Sequence, residues 1–269
     1  MSGPAGEFAL PSTRCRIDGS ELRVSRFPGG ISDPARTLIC VPGYGALGES
    51  FARLAPLADR WDVHLLTPPE DWERFPDVLA HQASLVTGYA RQFDRPLLLG
   101  TSFGGPIAIQ AASRLGDALG GLVLVSTYAA LRHPLRHLLP IIKYLEMAAY
   151  LVMRLGVYIV GGPHLDRAAA HELLRQVSSI SRQEKHARLV AALTCDLEPA
   201  ASRLAVPTLV VHGTSDRIVP FSSGKALAAI IPGAELCVLW GVGHVPYLTE
   251  PTAIVDQVDA FARRISQSR

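Results

Sequence analysis

Short apolar runs alternate along most of the chain with longer segments of helical periodicity, and this alternation constrains the fold more than any other feature. Six such runs lie at 37–41, 61–67, 96–99, 121–126, 208–213 and 235–240. Apolar side chains at successive positions indicate strands that are buried on both faces. Since helical segments separate these strands, the pattern predicts an α/β fold with a mostly parallel sheet between two layers of helices.

Two shorter strands precede this alternation and complete a predicted sheet of eight strands. They lie at 14–17 and 21–25, and the Asp18-Gly19 pair between them is typical of a hairpin turn. The helices are predicted at 50–59, 77–93, 103–115, 223–231 and 252–265.

The segment 131–203 interrupts the alternation, because it has helical patterns and no convincing strand. It follows one predicted parallel strand and precedes the next, which places it at the carboxyl ends of the strands, where such sheets bind ligands. We therefore expect a core domain formed by 1–130 and 204–269, and a helical lid formed by 131–203.

The composition limits the classes of function. The chain has 269 residues and a net charge of +2, which gives no reason to expect a nucleic-acid partner. Its four cysteines are scattered, and no basic start followed by an apolar region marks a signal peptide, so we expect a cytoplasmic protein. The apolar stretch 138–162 contains Lys143, Glu146 and Arg154, and we do not expect it to span a membrane.

One short motif joins a predicted strand to a predicted helix. The sequence GTSFG from Gly100 to Gly104 matches the pattern G-x-S-x-G, in which a strand turns directly into a helix. Such a tight turn leaves no room for side chains two residues before and after the serine, which explains the two glycines. The turn would present Ser102 at the rim of the sheet as a nucleophile, whereas a plain helix-capping serine is the alternative interpretation.

A nucleophilic serine needs a base, and the base needs an acid. His244 lies in a loop just after the last predicted strand, and Asp216 is the acid of the loop that follows the strand at 208–213. A histidine bonded to the backbone and an aspartate that closes a turn are the alternatives. We interpreted His212, at the end of that same strand, as structural.

The chain order Ser102, Asp216, His244 at these strand ends resembles the α/β-hydrolase superfamily, in its serine esterase and lipase-like branch. The resemblance implies an oxyanion hole that uses the backbone N–H of Phe103, the residue after the nucleophile. In this superfamily a second N–H comes from the loop after an earlier strand, here VPGYG, where Tyr44 is the implied donor and Gly45 is the alternative.

The resemblance implies a serine hydrolase that cleaves a carboxylic ester or thioester, with no cofactor and no metal. His133 and His137 are four residues apart, but a proline separates them and no third ligand is near. A C–C bond hydrolase or lyase with the same triad, and a ligand-binding sensor with slow turnover, remain open alternatives.

The composition of the insert bears on the substrate. Its many apolar residues favour an apolar acyl or alkyl group. It also holds ten Lys and Arg residues against six Asp and Glu, which suggests an acidic carrier protein or an anionic lipid surface as partner. A solvated helix face is the plainer explanation of the same charges. Nothing in the sequence indicates the oligomeric state.

Overall fold

A computed structural model describes residues 10–44, 46–67, 77–132, 156, 160–162 and 164–267 of the chain. Within these residues, eight strands form one sheet, as the sequence predicted. The strands are β1 (Ser12–Ile17), β2 (Ser20–Ser25), β3 (Thr37–Val41), β4 (Asp62–Thr67), β5 (Leu97–Thr101), β6 (Gly121–Val125), β7 (Thr208–Gly213) and β8 (Glu235–Leu239).

The strand order reverses at β3, and such a reversal creates a crevice at the carboxyl ends of the strands on either side of it. The order is β1-β2-β4-β3-β5-β6-β7-β8, with β3 to β8 parallel and the β1–β2 hairpin antiparallel to β4. After β3 the chain moves to one side to form β4, and then returns to form β5 on the other side of β3. Ligands bind at the carboxyl ends of strands where the order reverses in this way, here the ends of β3 and β5.

Helices cover both faces of the sheet. Among the described residues, the α-helices are α1 (Val78–Ala90), α2 (Gly104–Leu115), α3 (Arg167–Ser179), α4 (Arg182–Thr194), α5 (Glu198–Ala201), α6 (Phe221–Ile230), α7 (Pro246–Thr249) and α8 (Pro251–Gln267). Three 3₁₀ helices lie at Pro34–Arg36, Gly48–Asp59 and Gly116–Ala118.

The helix predicted at 50–59 is a 3₁₀ helix rather than an α-helix, and it begins earlier, at Gly48. Pro56 lies inside it, and in an α-helix its ring would clash with the carbonyl group of Ala52, four residues earlier. The segment winds as a 3₁₀ helix instead, and its apolar face packs on the core.

Alternate residues of the central strands divide the core into two layers. Ile39 and Leu98 pack on one face of the sheet, in the cluster that includes side chains of α1 and α2. Leu38 and Leu99 pack on the other face, with side chains of α8 and of the long 3₁₀ helix. All four are completely buried, which explains why these strands are apolar at successive positions.

The described part of the insert is helical. It contains α3, α4 and α5, and the side chains of Asp166 and Ser181 cap α3 and α4 by accepting backbone hydrogen bonds. Residues 133–155, 157–159 and 163 lie outside the described residues, together with most of the stretch 138–162. Within the residues that are described, no helix is both long and apolar enough to cross a membrane.

Candidate active site

Ser102 stands at a sharp turn between β5 and α2. Its φ is 49°, a left-handed conformation that is costly for a serine. A Cβ atom on Gly100 would lie 2.6 Å from the carbonyl oxygen of Gly104, and one on Gly104 would lie 2.3 Å from the carbonyl oxygen of Val41. Neither position can hold a side chain, so the two glycines are required by close backbone contacts.

We expect Gly104→Ala to destabilise the fold by about 3 kcal/mol, since the new methyl group meets backbone atoms that cannot move aside. Urea unfolding measures this loss. A stability of Gly104→Ala equal to that of wild type would show that the turn tolerates a side chain at this position.

The three predicted triad side chains lie in one hydrogen-bonded row. Ser102 Oγ is 2.9 Å from His244 Nε2, and His244 Nδ1 is 2.8 Å from Asp216 Oδ2. A carboxylate can only accept, so Nδ1–H donates to Asp216; neutral His244 then leaves Nε2 to accept the serine hydroxyl. His244 and Asp216 are both buried, which keeps bulk water from competing for these bonds.

The carboxylate of Asp216 is held ionised by its surroundings. Burial by itself would raise its pKa, but the electrostatic interaction with His244 and hydrogen bonds from His212, His244 and the Val219 backbone keep the pKa well below the usual range. Oδ1 accepts from the backbone N–H groups of Ile218 and Val219, each at 2.9 Å. These two bonds fix which oxygen faces His244.

His212 has a closer relation to the site than the sequence indicated. Its Nε2 is 3.3 Å from Asp216 Oδ2 and 2.9 Å from the carbonyl oxygen of Val219, and its ring is completely buried. A Cβ on Gly224 of α6 would lie 2.4 Å from Nδ1, so the helix packs directly on the ring. Because the contact depends on this packing, no local pattern in the sequence indicates it.

The two residues predicted to donate to an oxyanion both lie beside Ser102. Phe103 follows it directly at the start of α2 and is buried. The loop after β3 passes so close that a Cβ on Gly43 would be 3.0 Å from Ser102 Cβ, and Tyr44 is the next residue. The donor roles of the two N–H groups stay predictions.

The insert touches the histidine loop. The backbone N–H of His244 donates to the carbonyl oxygen of Val160 at 2.9 Å. A Cβ on Gly243 would lie 2.7 Å from the carbonyl oxygen of Gly161, so the two backbones are in contact. Val160 and Gly161 of the insert therefore lie against the loop that carries the predicted base.

Within the described residues, no group of three or more His, Cys, Asp or Glu side chains is arranged to hold a metal ion. His133 and His137, which the sequence analysis considered, lie outside those residues.

Comparisons with known proteins show which family the chain belongs to. The model of the alpha/beta hydrolase family matches residues 34–257. An uncharacterized hydrolase of Bacillus subtilis, YugF, is 27% identical over 278 residues, which cover 96% of this chain and 100% of the relative. A pimeloyl-[acyl-carrier protein] methyl ester esterase of Neisseria meningitidis serogroup B is 26% identical over 245 residues, 86% of this chain and 95% of the relative.

Solved structures share the fold. An esterase from Exiguobacterium antarcticum superimposes with a TM-score of 0.80 at 16% identity, covering 92% of this chain and 97% of its own. The esterase RhEst1 from Rhodococcus sp. ECU1013 has a TM-score of 0.78 at 21% identity and covers 95% and 99%. The family model extends from before β3 into α8 and so covers more than half of the chain. The chain therefore belongs to the alpha/beta hydrolase family.

Proposed function

We propose that the chain is a serine hydrolase that cleaves a carboxylic ester or thioester with an apolar acyl or alkyl group. The observation that carries this proposal is the row of two short hydrogen bonds, from Ser102 to His244 and from His244 to Asp216. A serine bonded to a histidine that a buried carboxylate orients is the arrangement that activates a hydroxyl for attack on a carbonyl carbon.

The reaction proceeds in two halves. Ser102 Oγ attacks the carbonyl carbon while His244 Nε2 takes its proton, and Asp216 stabilises the imidazolium that forms. Collapse of the tetrahedral intermediate breaks the bond to the leaving alcohol or thiol, which His244 protonates, and an acyl-enzyme remains. His244 then takes a proton from water, the water oxygen attacks the acyl carbon, and the acid leaves as Ser102 regains its proton.

The negative oxygen of each tetrahedral intermediate needs donors that are already in place. The N–H groups of Phe103 and Tyr44 serve this purpose in the proposal, supported by the position of both residues beside Ser102. The N-terminus of α2 also begins at this point, and its dipole favours a developing anion.

The proposed substrate class draws on the relatives and on the insert. The neisserial relative is named for an ester that is attached to an acyl-carrier protein, and we propose a comparable ester or thioester here. An acidic carrier protein or an anionic lipid surface is the partner that the excess of basic residues in 131–203 favours. The same segment is proposed as the lid over the acyl group, with 1–130 and 204–269 as the core domain.

Labelling with a fluorophosphonate, followed by turnover of p-nitrophenyl esters and matched thioesters of increasing acyl length, tests the proposal. We expect one label per chain, on Ser102, and kcat/KM that rises with acyl length because an apolar pocket gains roughly 0.8 kcal/mol per buried methylene group. Absence of both label and turnover would contradict it. A persistent adduct in the intact mass, with negligible turnover, would favour the slow sensor instead.

A further inference from the structure

We propose that the Tyr44 side chain is a positioning residue that ties the insert to the loop supplying the second oxyanion donor. This inference rests on the proposed function. The phenol of Tyr44 donates to the carbonyl oxygen of Lys185 on α4 at 2.9 Å, across 141 residues of chain. Because the backbone of the same residue carries the donor N–H, α4 and the oxyanion site are joined by one side chain.

The loop is fixed against the nucleophile on its inner side. A Cβ on Gly43 would lie 3.0 Å from Ser102 Cβ and 3.2 Å from the carbonyl oxygen of Thr101, so the loop cannot move further inward. A backbone hydrogen bond from Ala46 to Gly43 closes a turn at this point. The remaining freedom of the loop is outward, toward the insert.

A second contact holds the outer side of the loop. The backbone N–H of Leu47 donates to Gln176 Oε1 on α3 at 3.2 Å. Gln176 is almost completely buried, and its Nε2 donates to Glu172 on the same helix, which fixes the orientation of the amide. Helices α3 and α4 of the insert therefore bind Leu47 and Tyr44, respectively, from outside.

The face of α4 that meets Tyr44 is polar and buried. Glu184 and Arg188 lie one helical turn apart on this face and form an ion pair with almost no solvent exposure. Arg188 also interacts electrostatically with Tyr44. Both charges belong to α4, so the pair is internal to that helix, and it lets this face be buried without leaving an unpaired charge.

The expected consequence is a change in kcat rather than in substrate binding. A donor displaced by a fraction of an ångström stabilises the tetrahedral oxyanion less well, while the ground-state carbonyl is little affected. We expect Tyr44→Phe to lower kcat by about tenfold, less than the roughly 10²–10³-fold that loss of a whole donor costs, with KM within about twofold of wild type.

The test compares Tyr44→Phe with wild type on the acyl-length series and with a trifluoromethyl ketone inhibitor, whose tetrahedral adduct carries an oxyanion. We expect the inhibition constant to rise by the same factor as kcat falls, and by the same factor for every acyl length. Tyr89→Phe is the matched control, because this buried phenol bonds His64 Nδ1 at 2.6 Å in the core, and we expect its kcat to be unchanged. Gln176→Leu, which removes the second contact, should lower kcat in the same way.

Two results would overturn the inference. One is a kcat for Tyr44→Phe equal to that of wild type. The other is a ratio of the KM of Tyr44→Phe to the KM of wild type that changes with acyl length, since the phenol would then be in contact with the acyl chain of the substrate. Both of these results require an active wild-type enzyme. If the proposed function itself fails, wild type shows neither fluorophosphonate label nor turnover, so the two failures are distinguishable.

Discussion

Ser102→Ala is expected to lower kcat for ester hydrolysis by about 10⁵–10⁶-fold while the fold stays intact. The Ser102 hydroxyl is the proposed nucleophile, because it donates a hydrogen bond to His244 Nε2 at 2.9 Å. The variant removes this hydroxyl. Alanine fits the same backbone, because it is smaller than serine. Steady-state turnover of p-nitrophenyl esters and loss of fluorophosphonate labelling measure the effect, and thermal unfolding checks the fold.

Ser126→Ala is a closely matched control for this variant. Ser126 follows the neighbouring strand β6, has a φ of 48°, and its backbone N–H donates to the next strand as that of Ser102 does. Its hydroxyl is buried and, among the described residues, has no hydrogen-bond partner. We expect this variant to keep wild-type activity. If Ser102→Ala kept it as well, with contaminating esterases excluded, the nucleophile would be elsewhere.

The sequence was sufficient for the sheet and for the family. Six apolar runs and a hairpin predicted eight strands, and the structure confirmed them. The runs that form β3 to β7 are buried on both faces, which explains their apolar side chains at successive positions. The same burial was expected of the run at 235–240, but β8 is the edge strand of the sheet and is only partly buried, with Trp240 exposed after it. The turn around Ser102 was also predictable, since Gly100 and Gly104 are required by backbone contacts within a few residues of the motif. The family model confirmed the resemblance that these residues suggested.

Features that depend on packing between distant segments were not predictable. The apolar spacing of the segment Gly48–Asp59 suits an α-helix and a 3₁₀ helix alike, so the sequence predicted a helix at 50–59 correctly but not its 3₁₀ winding. The contact of His212 with Asp216 depends on how α6 packs on the imidazole ring. The hydrogen bond from Tyr44 to Lys185 joins residues 141 positions apart, and no local pattern encodes it.

The insert was predicted only in outline. Helical periodicity is a local property, and α3 and α4 agree with it. Its place over the site depends on contacts such as the one between Val160 and His244, which the sequence does not encode. The assignment of 131–203 as a lid therefore stays a prediction.

Asp216→Asn tests whether the third member of the row acts through the tautomer of His244. Asp216 Oδ1 accepts from two backbone N–H groups, of Ile218 and Val219, so the amide oxygen of an asparagine must take that place. Its NH₂ group then takes the place of Oδ2, 2.8 Å from His244 Nδ1, and donates to it. Neutral His244 is forced to carry its proton on Nε2, where it can no longer accept the proton of Ser102.

We therefore expect Asp216→Asn to lower kcat by about 10⁴-fold, with little change in the volume or packing of the loop. Steady-state kinetics and thermal unfolding measure the two effects separately. Asp62→Asn is the matched control, since Asp62 is a buried carboxylate 3.0 Å from the ring of His64 in the core. That variant should lose stability and keep its kcat, because its histidine faces no nucleophile. If Asp216→Asn leaves kcat unchanged, another carboxylate orients His244. If kcat falls in Asp216→Asn but not in Asp62→Asn, catalysis depends on the proton at His244 Nδ1.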